Sequence, residues 1–174
     1  MHYIFCPQCG NKLTGRVAGD DGETPYCSKC NKYWFDTFHN CVLVMVINER
    51  MEVAMVIQPH LSSKQESFIS GFIVPGETAE ECAVRETREE LGIKIKLLVS
   101  LGTFWLEGKD QLIHVFAGYV KGRQFRLSSE IKEAHWIPLT EINSHLGPHN
   151  PGNTLYLTIK NYLANIVNQQ TLQY

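Results

Sequence analysis

Residues 71–93 read GFIVPGETAEECAVRETREELGI, and this stretch decides the fold. It opens with a loop rich in glycine and proline, which are typical of turns. The TAEE sequence at 78–81 then has the form of a capping box, so we predict a helix with Thr78 as its N-cap. The helix is expected to run to Leu91, because Gly92 supplies a C-terminal stop.

Three glutamates crowd one side of this predicted helix. Glu86, Glu89 and Glu90 fall within one sector, whereas Thr87 and Leu91 lie roughly opposite. Like charges at this spacing repel one another. Two interpretations remain open: an ordinary solvated face, or a site for a divalent cation such as Mg²⁺ or Mn²⁺, which prefers carboxylate oxygens. The preceding glycine-rich loop favours the cation, because it can bring backbone close to a ligand.

The segments on either side of the helix predict an α/β domain. CVLVMVI at 41–47 and MEVAMVIQ at 51–58 are typical of buried strands joined by a tight turn. Further strand candidates are IKIKLLVSL at 93–101, QLIHVFAGYV at 111–120 and AHWIPL at 134–139. The segment 154–170 places apolar residues at helical spacing. We therefore expect a mixed sheet covered by helices.

Length and composition narrow the classes of protein. With 174 residues the chain can form one well-buried domain and a small appendage. Its net charge of −2 gives no overall attraction to nucleic acid, which makes nucleic acid an unexpected partner. No apolar run approaches the roughly 20 residues of a membrane helix, and the start lacks the pattern of a secretory signal. We expect a cytoplasmic protein without a membrane partner.

Four of the six cysteines form two close pairs. Cys6, Cys9, Cys27 and Cys30 follow the pattern C-x2-C-x17-C-x2-C, which predicts a zinc ribbon with a tetrahedral thiolate site. Four protein ligands leave no open position, so this Zn²⁺ is expected to be structural. Two redox-active CxxC pairs are the alternative, but the βαβ setting expected for them is missing.

The stretch 71–93 resembles the signature of the Nudix hydrolases. That pattern is G, five residues, E, seven residues, RE, an aliphatic, any residue, EE, an aliphatic, G and an aliphatic. The matching residues here are Gly71, Glu77, Arg85, Glu86, Glu89, Glu90, Leu91, Gly92 and Ile93. Thr87 is the one departure, at a position that is usually aliphatic. The resemblance implies a Nudix-type α/β/α sandwich over residues 35–174, preceded by the zinc ribbon over residues 1–34.

The resemblance also implies a metal-dependent site. Glu86, Glu89 and Glu90 would hold Mg²⁺ or Mn²⁺ across a diphosphate, and the backbone carbonyl of Ser70 would add a ligand.

Three further residues have implied catalytic roles. Glu77 would order waters or the loop, and Arg85 would hold the glutamates in place through ion pairs. Glu130 lies in SSEIKEAHW, a stretch similar to EI.EA.W in the NADH (NAD) pyrophosphatase branch of the family, where the corresponding glutamate is functional. A plain loop acid is the alternative for Glu130.

The substrate is suggested by the same branch, which also carries a zinc ribbon before its Nudix domain. The branch's SQPWPFP.S stretch corresponds here to LGTFWLEGKDQL at 101–112, where Trp105 is retained. Trp105 and Phe104 are predicted to stack on a base, with sheet packing as the alternative for Phe104. The implied activity is hydrolysis of a nucleoside diphosphate linked to another moiety: an NAD(H)-like dinucleotide first, then ADP-ribose or a nucleotide sugar. Relatives of this branch pair up, so a homodimer is implied.

Two other functions remain open. One is a non-catalytic module that senses a nucleotide, although the intact set of glutamates favours an enzyme. The other is an RNA-end hydrolase whose zinc ribbon binds RNA, although Lys12 and Arg16 are interspersed with acidic residues.

The histidines of the chain do not indicate a functional site. His114 is expected to be structural, and His60, His145 and His149 are expected in loops, with no partners that the sequence makes visible.

Overall fold

The computed structural model of the chain describes residues 3–59, 65–150 and 152–171, the last five by their backbone only. The chain forms two compact units, residues 1–39 and 40–174. The division into a ribbon over 1–34 and a Nudix domain over 35–174 stays a prediction. His60 lies outside the described residues.

The first unit contains a small antiparallel sheet. Its strands, in the order β1-β2-β3, are β1 (Thr14–Val17), β2 (Glu23–Cys27) and β3 (Lys32–Tyr33), with a 3₁₀ turn at Gly19–Asp21. Few apolar side chains are buried in the described part of this unit.

The second unit is built on a seven-stranded sheet. Five strands follow the order β10-β5-β4-β9-β8, while β6 pairs with β5 and β7 pairs with β4. The elements are β4 (His39–Ile47), β5 (Glu52–Ile57), β6 (Glu66–Ser67), β7 (Ile69–Phe72), α1 (Ala79–Leu91), β8 (Ile95–Leu106), β9 (Gln111–Val120), β10 (Glu133–Pro138) and α2 (Thr154–Thr171). A 3₁₀ helix at Ile142–His145 lies between β10 and α2.

Both faces of this sheet are buried, which explains the continuous apolar run of β4. One face packs with α1, and its core includes Val42, Val44, Val46, Val56, Cys82, Ala83 and Leu91. The other face packs with α2, and its core includes Leu43, Met45, Met55, Ile142, Leu146, Leu155, Ile159 and Tyr162. Residues of β4 therefore alternate between the two helices. No helix of the described ranges is long and apolar enough to cross a membrane.

Helix α1 has the ends that the sequence predicts. The Glu81 amide donates to Thr78 Oγ1 at 3.2 Å, and the Thr78 amide donates to Glu81 Oε2 at 2.9 Å, so the capping box is formed. Gly92 ends the helix with φ of 69°, a left-handed conformation that favours glycine. Thr87 is fully buried, and its hydroxyl donates to the Ala83 carbonyl at 2.8 Å, which satisfies this polar group in the core.

Candidate functional site

A cavity of about 490 Å³ opens beside α1, between this helix, β4, β7 and the turn that joins β8 to β9. Its polar lining combines carboxylates, amides, hydroxyls and two cations. These residues are Gln58, Ser67, Ser70, Arg85, Glu86, Glu90, Lys109, Gln111, Glu130 and Thr154. Three predicted carboxylates and Ser70 thus meet in one cavity.

Glu86 reaches this cavity across the backbone of β7. A Cβ atom on Gly71 would overlap the carboxylate of Glu86, so the carboxylate occupies the space that glycine leaves open. Only 13% of the Glu86 side chain is exposed. Burial raises the pKa of Glu86, and the negative charges of Glu89 and Glu130 raise it further, against the effect of Arg85.

Glu90 is the most buried of the three helix glutamates, with 2% of the residue exposed. Gln58 Nε2 donates to Glu90 Oε1 at 2.8 Å, whereas Oε2 has no hydrogen-bond partner in the described part of the chain. Burial, followed by the charges of Glu86 and Glu130, raises the pKa of Glu90 to about 8. A buried carboxylate with an unpaired oxygen is costly unless a cation approaches it.

Arg85 holds the acidic groups together. Its Nε and Nη2 atoms donate to the two carboxylate oxygens of Glu77 at 2.7 and 2.9 Å. Its Nη1 atom donates to Glu86 at 2.8 Å and to Glu89 at 3.1 Å, and Nη2 also reaches the Phe72 carbonyl at 3.2 Å. These hydrogen bonds lower the pKa of Glu77 to about 2. Arg85 thus forms ion pairs with three glutamates, and its role in catalysis stays a prediction.

Glu130 approaches the same cavity from the segment before β10. This segment is tied to the end of α1, because the Arg126 amide donates to Leu91 O at 2.8 Å and the Ser128 amide donates to Glu90 O at 3.1 Å. The Glu130 amide in turn donates to Ser128 Oγ at 3.3 Å. A side chain about 40 positions beyond the helix is thereby placed beside Glu90.

The donor set of the cavity fits a divalent cation. The charge of Glu130 raises the pKa of both Glu86 and Glu90, and the charge of Glu86 also raises that of Glu90; a bound cation removes such repulsion. Carboxylate oxygens with a nearby backbone carbonyl suit Mg²⁺ or Mn²⁺. Glu89 differs from the other predicted ligands: 59% of its side chain is exposed, it contacts Arg85, and it is absent from the described lining of the cavity.

The two predicted substrate-binding aromatics lie outside this lining, as far as the structure describes it. Phe104 is partly buried against the core on the α2 side, which agrees with the packing alternative. Trp105 is half exposed on β8. Their role in stacking a base stays a prediction.

Several lining residues were not predicted from the sequence. Gln58 follows the apolar strand β5, and its polar side chain at the end of a buried run was the one available signal. Lys109 and Gln111 lie in and after the β8–β9 turn, and Thr154 begins α2. Nothing in the sequence pattern connects these four positions with α1, because only the folded sheet brings them together.

The four paired cysteines meet in the first unit. Their Sγ atoms all lie within 4.8 Å of one another, in a cluster formed by Cys6, Cys9, Cys27 and Cys30. Cys6 and Cys27 are buried, and the Sγ atoms of Cys9 and Cys27 are 3.6 Å apart. Four thiolates at this separation suit tetrahedral Zn²⁺. The cluster agrees with the predicted structural zinc site.

Comparison with protein families gives one match that covers most of the chain. The NUDIX domain model matches residues 37–157.

Curated relatives extend this similarity. The chain is 30% identical over 132 residues to the NAD-capped RNA hydrolase NudC of Chromobacterium violaceum, covering 75% of this chain and 49% of that protein. It is 30% identical over 161 residues to the protein of the same name from Pseudomonas syringae pv. tomato, covering 92% of this chain and 55% of that one. The chain spans about half the length of these relatives.

Solved structures show the same fold. A NUDIX hydrolase from Nitrosomonas europaea superposes with a TM-score of 0.67 at 22% identity, covering 80% of each chain. The NUDIX domain of NrtR from Shewanella oneidensis superposes with a TM-score of 0.62 at 13% identity, covering 81% of this chain and 94% of that one. The predicted Nudix-type α/β sandwich is therefore confirmed.

Proposed function

Because the chain belongs to the NUDIX domain family, we propose that it is a metal-dependent hydrolase of nucleotide diphosphates. Its substrate is a nucleoside diphosphate linked to another moiety, with NAD(H)-like dinucleotides first and ADP-ribose or a nucleotide sugar next. The observation that carries this proposal is the convergence of Glu86, Glu90 and Glu130 in one cavity, where Glu90 keeps an unpaired buried oxygen. The names of the relatives refer to NAD-capped RNA, and this NAD moiety supports an NAD-like dinucleotide as substrate.

Glu86 and Glu90 are the first candidates to hold Mg²⁺ or Mn²⁺, with Glu89 and the Ser70 carbonyl as the further ligands that the family signature implies. When bound, the cation neutralises the diphosphate and stabilises charge on the leaving phosphate. In the first unit, Zn²⁺ on the four cysteines has a structural role.

The remaining side chains position these groups. Arg85 fixes the carboxylate of Glu86 and joins it to Glu77, so that the loop and helix keep one arrangement. Gln58 orients the carboxylate of Glu90 through its amide hydrogen bond. Lys109 offers a cation to substrate phosphate from the other wall, and Glu130 offers a carboxylate as a ligand or as the acceptor of a proton from the attacking water.

Hydrolysis of an NAD cap at an RNA end is the second candidate function. The relatives bear that activity in their names, and the first unit places cations over aromatic rings. Arg16 lies 4.5 Å from the centroid of the Tyr26 ring, and Lys32 lies 4.5 Å from that of Trp34. Because Tyr26 is buried, these pairs suit single-stranded nucleic acid through their cations, which can bind its phosphates. Salt-dependent RNA binding that weakens in Arg16→Gln and Lys32→Gln supports this candidate; unchanged binding opposes it.

We also propose a homodimer in the cytoplasm. The homodimer rests on the resemblance to the NADH pyrophosphatase branch. The location is supported by six cysteines that form no disulfide in the described residues. A nucleotide-sensing module without catalysis is the competing function, and it predicts binding without turnover.

The substrate is tested by measuring product release from NADH, NAD, ADP-ribose, UDP-glucose and NAD-capped RNA in the presence of Mg²⁺ or Mn²⁺. Cleavage of a dinucleotide to two mononucleotides supports the first candidate, and a strong preference for the RNA supports the second. Binding of a nucleotide with no product from any compound would favour the sensing module.

A further inference from the structure

Two histidines and a glutamate form a compact cluster on the α2 side of the sheet, outside the catalytic cavity. We propose that Glu66, His135 and His145 form a second metal site, which binds Zn²⁺ or a similar divalent transition-metal ion. This inference rests on these three side chains and does not depend on the proposed hydrolysis.

The three side chains already point at one another. Glu66 Oε1 lies 2.6 Å from His135 Nε2, and Glu66 Oε2 lies 2.6 Å from His145 Nδ1. One ligand atom from each residue lies within 4.8 Å of the other two. Ligands of one tetrahedral Zn²⁺, each about 2.0–2.1 Å from the ion, are about 3.3 Å apart, so the separations between the three ligand atoms need to change by no more than about 1.5 Å to hold the ion.

The backbone fixes two of these ligands on one face of the sheet. Glu66 is opposite Ile57 on β5, and His135 is opposite Met55 on the same strand. Because Met55 and Ile57 are two residues apart, the side chains paired with them emerge on the same face.

His145 joins them from the 3₁₀ helix between β10 and α2. The first residue of this helix, Ile142, and the residue that follows it, Leu146, are almost completely buried and anchor it in the core. His145 is therefore already held in position before an ion binds.

The ligand types indicate which ion binds. Two imidazole nitrogens and one carboxylate are a common set for Zn²⁺, and imidazole favours zinc, copper or nickel over Mg²⁺. The cluster therefore differs in chemistry from the carboxylates of α1. Three protein ligands leave a fourth position for water. Between 20% and 39% of each side chain is exposed, so solvent can supply that ligand.

The position of Glu66 connects the proposed ion with the catalytic cavity. Its neighbour Ser67 pairs with Val56 and lines the catalytic cavity from the opposite face of β6. Glu66 itself lines an adjoining cavity of about 490 Å³, which shares Ser67, Leu106, Lys109 and Thr154 with the catalytic one. An ion on Glu66 would hold the short strand β6, and with it one wall of the catalytic cavity, against β10 and the 3₁₀ helix.

The site is tested by metal titration of the full chain with its ribbon zinc in place. Excess Mg²⁺ occupies the acidic helix, and Zn²⁺ or Co²⁺ is then added. We expect one further equivalent to bind to the wild type. His135→Ala and His145→Ala should each weaken this binding by more than roughly 100-fold. Loss of a residue that only hydrogen-bonds to a metal ligand typically weakens metal binding by roughly 10–100-fold, and these two residues are proposed to bind the ion directly. His149→Ala is the matched control, because His149 is exposed and stacks on Tyr156; binding should be unchanged.

A measurement without any variant covers the case in which a substitution disturbs folding. Added Zn²⁺ should shift the imidazole resonances of His135 and His145 in the wild-type NMR spectrum, and leave those of His149 in place. The bound Co²⁺ should lack the charge-transfer absorption of a thiolate site. The proposal is overturned if the wild type binds no further ion, or if the ion persists in both cluster variants. It is equally overturned if Zn²⁺ shifts the resonances of His149 but not those of the cluster.

Discussion

The carboxylate of Glu86 occupies the space that a Cβ atom on Gly71 would fill. Position 71, the first of the 71–93 stretch, therefore requires glycine for a steric reason. Without a Cβ atom there, the side chain of Glu86 can lie directly on the backbone of β7. Ser70, whose carbonyl is a candidate metal ligand, precedes that glycine and lines the same cavity. The strand and the helix are therefore fitted to each other at the proposed metal site.

Substitution of Gly71 by alanine should displace Glu86. We expect Gly71→Ala to cost about 1–3 kcal/mol of stability, as overpacking commonly does, and to weaken Mn²⁺ binding. The matched test is a double-mutant cycle with Glu86→Ala, measured by urea unfolding. Gly71→Ala should lower the free energy of unfolding by less in the Glu86→Ala background, where the carboxylate is absent, than in the wild type. An equal cost in both backgrounds would show that the two residues do not compete for this space.

The hydrogen bond from Gln58 to Glu90 should matter for turnover. Gln58→Leu keeps the side-chain size but removes the donor, and a hydrogen bond to a charged group is worth about 1.5–3 kcal/mol. We expect kcat to fall roughly ten- to hundredfold with little change in KM. In the Glu90→Gln background the same substitution should have almost no further effect. A similar loss in both backgrounds would assign Gln58 a role other than positioning Glu90.

The ion pair between Glu77 and Arg85 predicts a specific pH dependence of stability. The pKa of Glu77 is about 2 in the folded state, below its ordinary value of 4.5. A lowered pKa stabilises the fold above the unfolded pKa, and this contribution is lost as pH falls through the folded one. The free energy of unfolding should therefore differ most between wild type and Glu77→Gln above pH 4.5, and converge towards pH 2. Glu80→Gln, on the same helix, serves as the control; a difference that is constant with pH would contradict the ion pair.

The cysteine cluster predicts a structural zinc ion. Metal analysis should find one Zn²⁺ in the ribbon, and Cys27→Ser should lose it together with the hydrogen-exchange protection of β1–β3. Cys82→Ala is the control, because Cys82 is buried in α1 of the second unit and is not a member of the cluster. A ribbon that keeps its exchange protection without metal would refute this assignment.

The elements that the sequence predicted best are those whose signals are local. The capping box at Thr78, the stop at Gly92 and the burial of β4 all follow from residues a few positions apart, and each is present in the structure. The family signature likewise lies within 23 continuous residues, so the placement of Glu86 and Glu90 on one helix was predictable.

Contacts between distant segments could not be predicted in the same way. Gln58 meets Glu90 because α1 packs on the sheet face that includes Val56 of β5. Glu66 meets His135 because β6 and β10 both pair with β5. The sequence shows no partner for His145, and only the structure reveals that its Nδ1 atom lies 2.6 Å from Glu66. The exposure of Glu89 could not be predicted from the sequence either. Helical spacing indicates the side of the helix on which a residue lies, but not which other elements cover that side.

The central claim is that the buried carboxylates of α1 support metal-dependent hydrolysis. Its most direct test is the rate of NADH or NAD cleavage in Mg²⁺ or Mn²⁺ by wild type, Glu90→Gln and the exposed control Glu80→Gln, with circular dichroism to verify folding. We predict cleavage to two mononucleotides by wild type and Glu80→Gln, none without the divalent ion, and a loss of several orders of magnitude in folded Glu90→Gln. Cleavage by Glu90→Gln at the wild-type rate, or cleavage that persists without divalent ions, would contradict the account.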